Sequence, residues 1–160
     1  MKVIFLDVDG VLNSSHSHSI STNEKGWMWD EVSEYHLEKL KRIVDKTDAK
    51  IVLSSSWREY HPLLTGDGEV TDGLLKVLLE KFEKFGLSIY DVTPELRLQI
   101  RGNEIKQWLD NHSGVSNYVI IDDEYDFRYE QESFVVRTTM TNWLTDELSD
   151  LAICILNKNS

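Results

Sequence analysis

The sequence predicts an α/β protein built around a mainly parallel sheet, and three observations carry that expectation. Short, unbroken apolar runs recur at residues 3–6, 51–53 and 118–121, without polar alternation. Such runs suit strands covered by helices on both faces. Segments with helical spacing separate them, as in the stripe Leu37, Leu40, Ile43 and Val44. Finally, three strands end in polar groups: Asp7 and Asp9, then Ser54, Ser55 and Ser56, then Asp122 and Asp123. In a parallel sheet those ends lie on one edge, where ligands of open α/β sheets bind.

Each element has its own justification along the chain. Val3-Ile4-Phe5-Leu6 is the first strand, and Asp7-Val-Asp9-Gly10-Val-Leu-Asn13 follows at its carboxyl end. Clustered carboxylates are costly unless a cation neutralises them. Gly10 allows a sharp turn and close approach of a substrate. Residues 13–30 are polar and irregular, and are expected to form a flap-like insertion near the site mouth. Asp30 reads as the cap of a helix ending near residues 46–48. A second strand then runs into the serines and Trp57-Arg58. Beyond a Gly/Asp-rich loop at 65–68, Leu75, Leu78, Phe82 and Phe85 give a helical face closed by Gly86. Residues 87–92 form a third strand ended by Thr93-Pro94, and 97–101 a connector. Ile105, Trp108 and Leu109 mark a short helix ending before Gly114, with Trp108 in the core. The fourth strand delivers Asp122 and Asp123, while Glu124 and Asp126 beyond them read as solvated. Residues 134–136 form a fifth strand. Thr145 caps a last helix, with Asp146 and Glu147 in its positive first turn.

A chain of 160 residues without internal repeat or linker is expected to form one domain. Hydrophobic content of 41% and five tryptophans imply a folded core. A net charge of −11 gives no general attraction to polyphosphate, so any hold on nucleic acid must be local. The single cysteine, Cys154, excludes an intrachain disulfide. The apolar run after Lys2 stops at Asp7, and no segment has the length to span a bilayer. A cytoplasmic protein with no membrane partner and no stable protein partner is expected.

Four carboxylates on one sheet edge raise one another's pKa unless a cation is present. Oxygen donors without a His/Cys set favour Mg²⁺. Magnesium also screens a phosphate from an anionic nucleophile.

The order of these motifs resembles the haloacid dehalogenase (HAD) superfamily of phosphohydrolases. DVDGV at 7–11 looks like its first motif, IVLSS at 51–55 the second, segment 101–106 the third and IIDD at 120–123 the fourth. More narrowly, Ser55-Ser-Trp57-Arg58, Thr93-Pro94 and Arg101-Gly-x-Glu104-Ile105-x-x-Trp108-Leu109 resemble the small HAD domains of Swiss army knife RNA-repair proteins. The likeness runs from residue 2 to about 156. It implies a Rossmann-like three-layer sandwich with a minimal cap or none, leaving the site open to bulky phosphates. Asp7 would be the nucleophile and form an aspartyl-phosphate. Asp9 would protonate the leaving oxygen and then activate water. Superfamily members that are not phosphatases often lack this second aspartate. Asp7, the backbone carbonyl of Asp9 and Asp122 would hold Mg²⁺, with Asp123 as a further ligand or directly behind the ligands. Ser54 or Ser55 would bind a phosphate oxygen next to Gly10. Arg101 is the first choice for the basic group that neutralises the phosphoryl, with Lys106 the alternative.

The implied activity is Mg²⁺-dependent phosphomonoester hydrolysis, with nucleic-acid ends or nucleotides as candidate substrates. A small-metabolite phosphatase, a phosphotransferase and a non-catalytic phosphate-binding domain are the competing readings. Around the site, Trp27 and Trp29 suit core packing better than base stacking. His16 and His18 suit a solvated loop better than ligation. Arg58 is left between a phosphate contact and solvent.

Overall fold

Strand β1 (Lys2–Leu6) lies at the centre of a five-stranded sheet in a computed structural model of the chain. The structure describes residues 1–13, 32–66, 70, 73–98, 100–139 and 141–158. The other strands are β2 (Lys50–Leu53), β3 (Ile89–Val92), β4 (Asn117–Asp122) and β5 (Val135–Arg137). Their order is β3-β2-β1-β4-β5 and every neighbouring pair is parallel. The chain moves outward from β1 through β2 to β3, then returns to the other side of β1 for β4. That reversal creates a crevice at the carboxyl ends of β1 and β4, the place where such sheets bind ligands.

The unbroken apolar runs are explained by coverage on both faces. Ile4, Leu6, Ile51, Leu53, Val119 and Ile121 face one layer of helices. That layer comprises α1 (Glu34–Thr47), α3 (Gly73–Lys84) and α5 (Asp146–Asn157), with Leu37, Leu40, Leu78, Phe82 and Ile155 among its buried residues. On the other face Val3, Phe5, Val52 and Ile120 pack against Ile105 and Trp108 of α4 (Arg101–Asp110). Phe5 meets the Trp108 indole edge-on, with centroids 5.3 Å apart. The expected three layers are therefore present, and Trp108 is core. Thr145 caps α5 as expected, its hydroxyl accepting from the Leu148 amide at 3.3 Å.

Four local expectations need correction. First, α1 starts at Glu34 after Ser33, because an antiparallel bridge joins Asn13 to Val32 and the Ser33 amide bonds Leu12 O. Val32 still belongs to that bridge, and Asp30 lies outside the described residues. Second, Thr65 ends a single helical turn, α2 (Pro62–Thr65), capped by the His61 ring, and residues 67 and 68 of the loop expected there lie outside the described residues. Third, Arg101 begins α4 rather than ending a connector. Fourth, Phe134 closes a 3₁₀ segment, Tyr129–Phe134, ahead of β5. The flap expected at 13–30, with His16, His18, Trp27 and Trp29, lies outside the described residues except for Asn13. Among the described residues no helix is long and apolar enough to cross a membrane.

Candidate active site

Asp7 stands one residue beyond β1, anchored by its amide to Ile121 O at 3.0 Å. The residue is only 4% exposed, at the floor of the crevice between β1 and β4. Asp122, the last residue of β4, is fully buried beside it. Oxygens of Asp7, Asp122 and Asp123 all lie within 4.8 Å of one another. This convergence follows from register: Leu6 pairs with Ile121, so both chains reach their acids at the same level.

Arg101 binds the pair. Its Nη1 lies 2.9 Å from Asp7 Oδ1 and 2.7 Å from Asp122 Oδ2. The other Asp122 oxygen accepts from the Glu124 amide at 2.9 Å. Burial pushes the Asp7 carboxyl up to about 7, and the neighbouring Asp122 charge adds to the rise. The Arg101 guanidinium and a hydrogen bond from Ser55 work against it. Burial likewise raises Asp122, again opposed by Arg101. One guanidinium shared between two buried carboxylates leaves the cluster short of positive charge. The all-oxygen donor set therefore fits a hard divalent cation such as Mg²⁺.

Gly10 is dictated by the same crowding. Its φ is +71°, in the region that favours glycine, and a Cβ there would overlap the Asp123 carboxylate. Asp9 sits outside the cluster and is exposed. Asn13 Nδ2 donates to its Oδ1 at 2.6 Å and Trp57 Nε1 to its Oδ2 at 2.9 Å, so both oxygens have a fixed donor.

The two serines separate clearly. Ser55 hydrogen-bonds Asp7 and also accepts from the Trp57 amide at 3.4 Å, capping the 3₁₀ turn Ser56–Tyr60. Ser54 is fully buried, and its hydroxyl has no partner among the described residues. Lys106 is not brought to the cluster. It salt-bridges Asp110 one turn along α4 at 2.7 Å, while Arg101 from the start of that helix reaches Asp7.

Arg58 turns out to be neither solvent-facing nor aimed at the cluster. It is buried, with Nη2 2.6 Å from Glu104 Oε2 and Nη1 donating to Ser54 O and Ser55 O. The second Glu104 oxygen accepts from the Leu96 amide. Asp126 also departs from the solvated reading. Its Oδ2 accepts from the Arg101 amide at 2.9 Å and its carbonyl from Gly102, so it caps α4 from a distant loop. Ile100, at the N-cap position, offers no side-chain acceptor there. Gly102 permits the approach, since a Cβ would collide with the backbone at Phe127 and Arg128. Trp57, Asn13 and Glu104 are the site residues to which sequence reasoning gave no role, while Asp126 was read as solvated. The Trp57-Arg58 pair directly after the serines was the available signal.

Comparison with known protein families gives a match. The model of a family described as the HAD domain in Swiss Army Knife RNA repair proteins matches residues 3–148. No curated protein and no solved structure matches the chain.

Proposed function

The chain belongs to the family of HAD domains found in Swiss Army Knife RNA repair proteins, a branch of the HAD phosphohydrolases, and from that premise we propose a Mg²⁺-dependent phosphomonoesterase that works through an aspartyl-phosphate on Asp7. The observation that carries this reading is the convergence of Asp7, Asp122 and Asp123 within 4.8 Å at the mouth of two adjacent strands. Asp9 stands just outside them with its carboxylate oriented by two donors.

In this reading Asp7, Asp122, Asp123 and the Asp9 carbonyl would hold Mg²⁺, which would supply positive charge to set the phosphate against the Asp7 carboxylate. An Asp7 oxygen attacks phosphorus and the bond to the leaving oxygen breaks. Asp9 delivers a proton to that oxygen. Asp9 then takes a proton from water as the water attacks the phosphoaspartate, which regenerates Asp7 and releases phosphate. Ser55, already bonded to Asp7, is the hydroxyl placed to steady a phosphoryl oxygen, and Arg101 is the basic group. Arginine can engage a phosphate through two N–H groups. Nucleic-acid ends or nucleotides are the proposed substrates, a reading supported by the RNA-repair description of the family.

Release of phosphate from 4-nitrophenyl phosphate, dependent on Mg²⁺ and stopped by EDTA, is the expected result. No release with any divalent metal would overturn the catalytic reading. Turnover of 3′-phosphorylated and 5′-phosphorylated oligonucleotides against free mononucleotides then identifies the substrate.

A further inference from the structure

The Trp57 indole has two neighbours of different kinds. Its Nε1 donates to Asp9 Oδ2, and the residue also lines a cavity of about 290 Å³ with Ser56, Glu59, Tyr60 and Leu74. Trp57 is thus a neighbour of both the cavity and the Asp9 carboxylate. We propose that the cavity is the subsite for the leaving group of the substrate, and that it takes an uncharged aromatic ring such as a nucleobase. The proposal rests on the phosphatase reading for one point only, that the leaving oxygen departs next to Asp9.

The lining argues for this occupant. Tyr60 is 50% exposed, and Leu74 also opens to solvent, so apolar surface is presented in a concave setting. The polar groups are a hydroxyl, Ser56, and a carboxylate, Glu59, with no lysine or arginine among the described lining residues. A carboxylate without a cation repels a second phosphate or an acidic group, yet accepts from ring N–H or amino groups. Aromatic side chains bind flat rings by stacking in a sequence-tolerant way. Size agrees as well, because a cavity of ~150 Å³ already holds benzene. The 3₁₀ turn Ser56–Tyr60 fixes the arrangement, since Ser55 caps it while bonding Asp7. One short turn thus connects the nucleophile, the proton donor and the ring pocket.

The test compares phenyl phosphate with glycerol 2-phosphate, which carries the same phosphate on a ringless alcohol. Affinities are measured by calorimetry with Mg²⁺ on the Asp7→Asn chain, so neither ligand is consumed and turnover is not required. Phenyl phosphate should bind about tenfold more tightly, the scale of one stacked ring. Tyr60→Ala or Leu74→Ala should cut that ratio to about threefold or less. Both positions are exposed enough for the variants to fold, which circular dichroism checks. Equal affinities, a ratio untouched by both variants, or no binding of either ligand would overturn the subsite. Wild-type turnover of phenyl phosphate with Mg²⁺ is followed separately. Its absence alongside a ring preference would overturn the phosphatase reading and leave the pocket standing.

Discussion

Asp7 carries the sharpest conflict in the molecule, a carboxylate almost wholly removed from water with its pKa raised from 3.8 to about 7. The sign of the consequence follows from linkage. The unfolded chain loses this proton near pH 4, whereas the folded chain keeps it until about pH 7. The group therefore destabilises the fold progressively as pH rises between those values, by on the order of a few kcal/mol, and the penalty is complete above pH 7. His36 and His61, lowered by burial, act in the opposite sense as pH falls. The readout is thus the difference between the wild type and Asp7→Asn in thermal unfolding from pH 5 to 8, with the variant gaining most at pH 8. Mg²⁺ should raise the wild-type midpoint more at pH 8 than at pH 5, since it binds the ionised cluster. In activity, Asp7→Asn is expected to abolish turnover. Asp9→Asn should lower kcat by about 10²–10⁴, the range for loss of a general acid–base group. Full activity of Asp7→Asn in steady-state kinetics would remove the covalent mechanism.

At the scale of elements, a buried ion pair sets the basic group against the serine turn. Arg58 and Glu104 are 6% and 8% exposed in their side chains, and they join the turn after β2 to α4, three residues from Arg101. Glu104→Ala leaves the guanidinium buried and unpaired, which should cost about 3–5 kcal/mol in urea unfolding. The double replacement Arg58→Met with Glu104→Leu should recover most of that stability, because paired buried charges are replaceable by apolar groups. Its kcat should nonetheless stay low, as the carbonyls of Ser54 and Ser55 and the Leu96 amide lose their partners. A double variant with wild-type kcat would reduce the pair to a stability device. The sequence made the strand ends legible because a buried strand shows an unbroken apolar run and then a sudden acid, as at Leu6-Asp7 and Ile121-Asp122. It did not reveal Arg58–Glu104 or the Asp126 cap. Those contacts join residues 46 and 25 positions apart, and nothing local distinguishes a charge folded inward from one in water.

For the molecule as a whole, alternating strands and helices announced a parallel sheet. Periodicity does not state on which side of β1 each later strand inserts. That choice put β4 beside β1 and brought Asp122 to Asp7. Net charge was legible from composition alone, and it yields a prediction that opposes the habit of nucleic-acid binders. At −11 the chain repels a phosphorylated ligand at long range, while Arg101 and the Mg²⁺ proposed for the cluster would attract it only inside the crevice. Salt screens over ~10 Å at 0.1 M, so it weakens the distant repulsion before the contacts within the site. Raising ionic strength from ~0.01 to ~0.1 M should therefore increase kcat/KM for a phosphorylated oligonucleotide, by less than about tenfold. A protein that gathers phosphates on a basic face would instead lose orders of magnitude in affinity. Stopped-flow or initial-rate measurements across that range decide between the two. A steep fall in kcat/KM would mean that backbone phosphates are held by a cationic surface, and that the acidic balance of the chain does not govern how its substrate arrives.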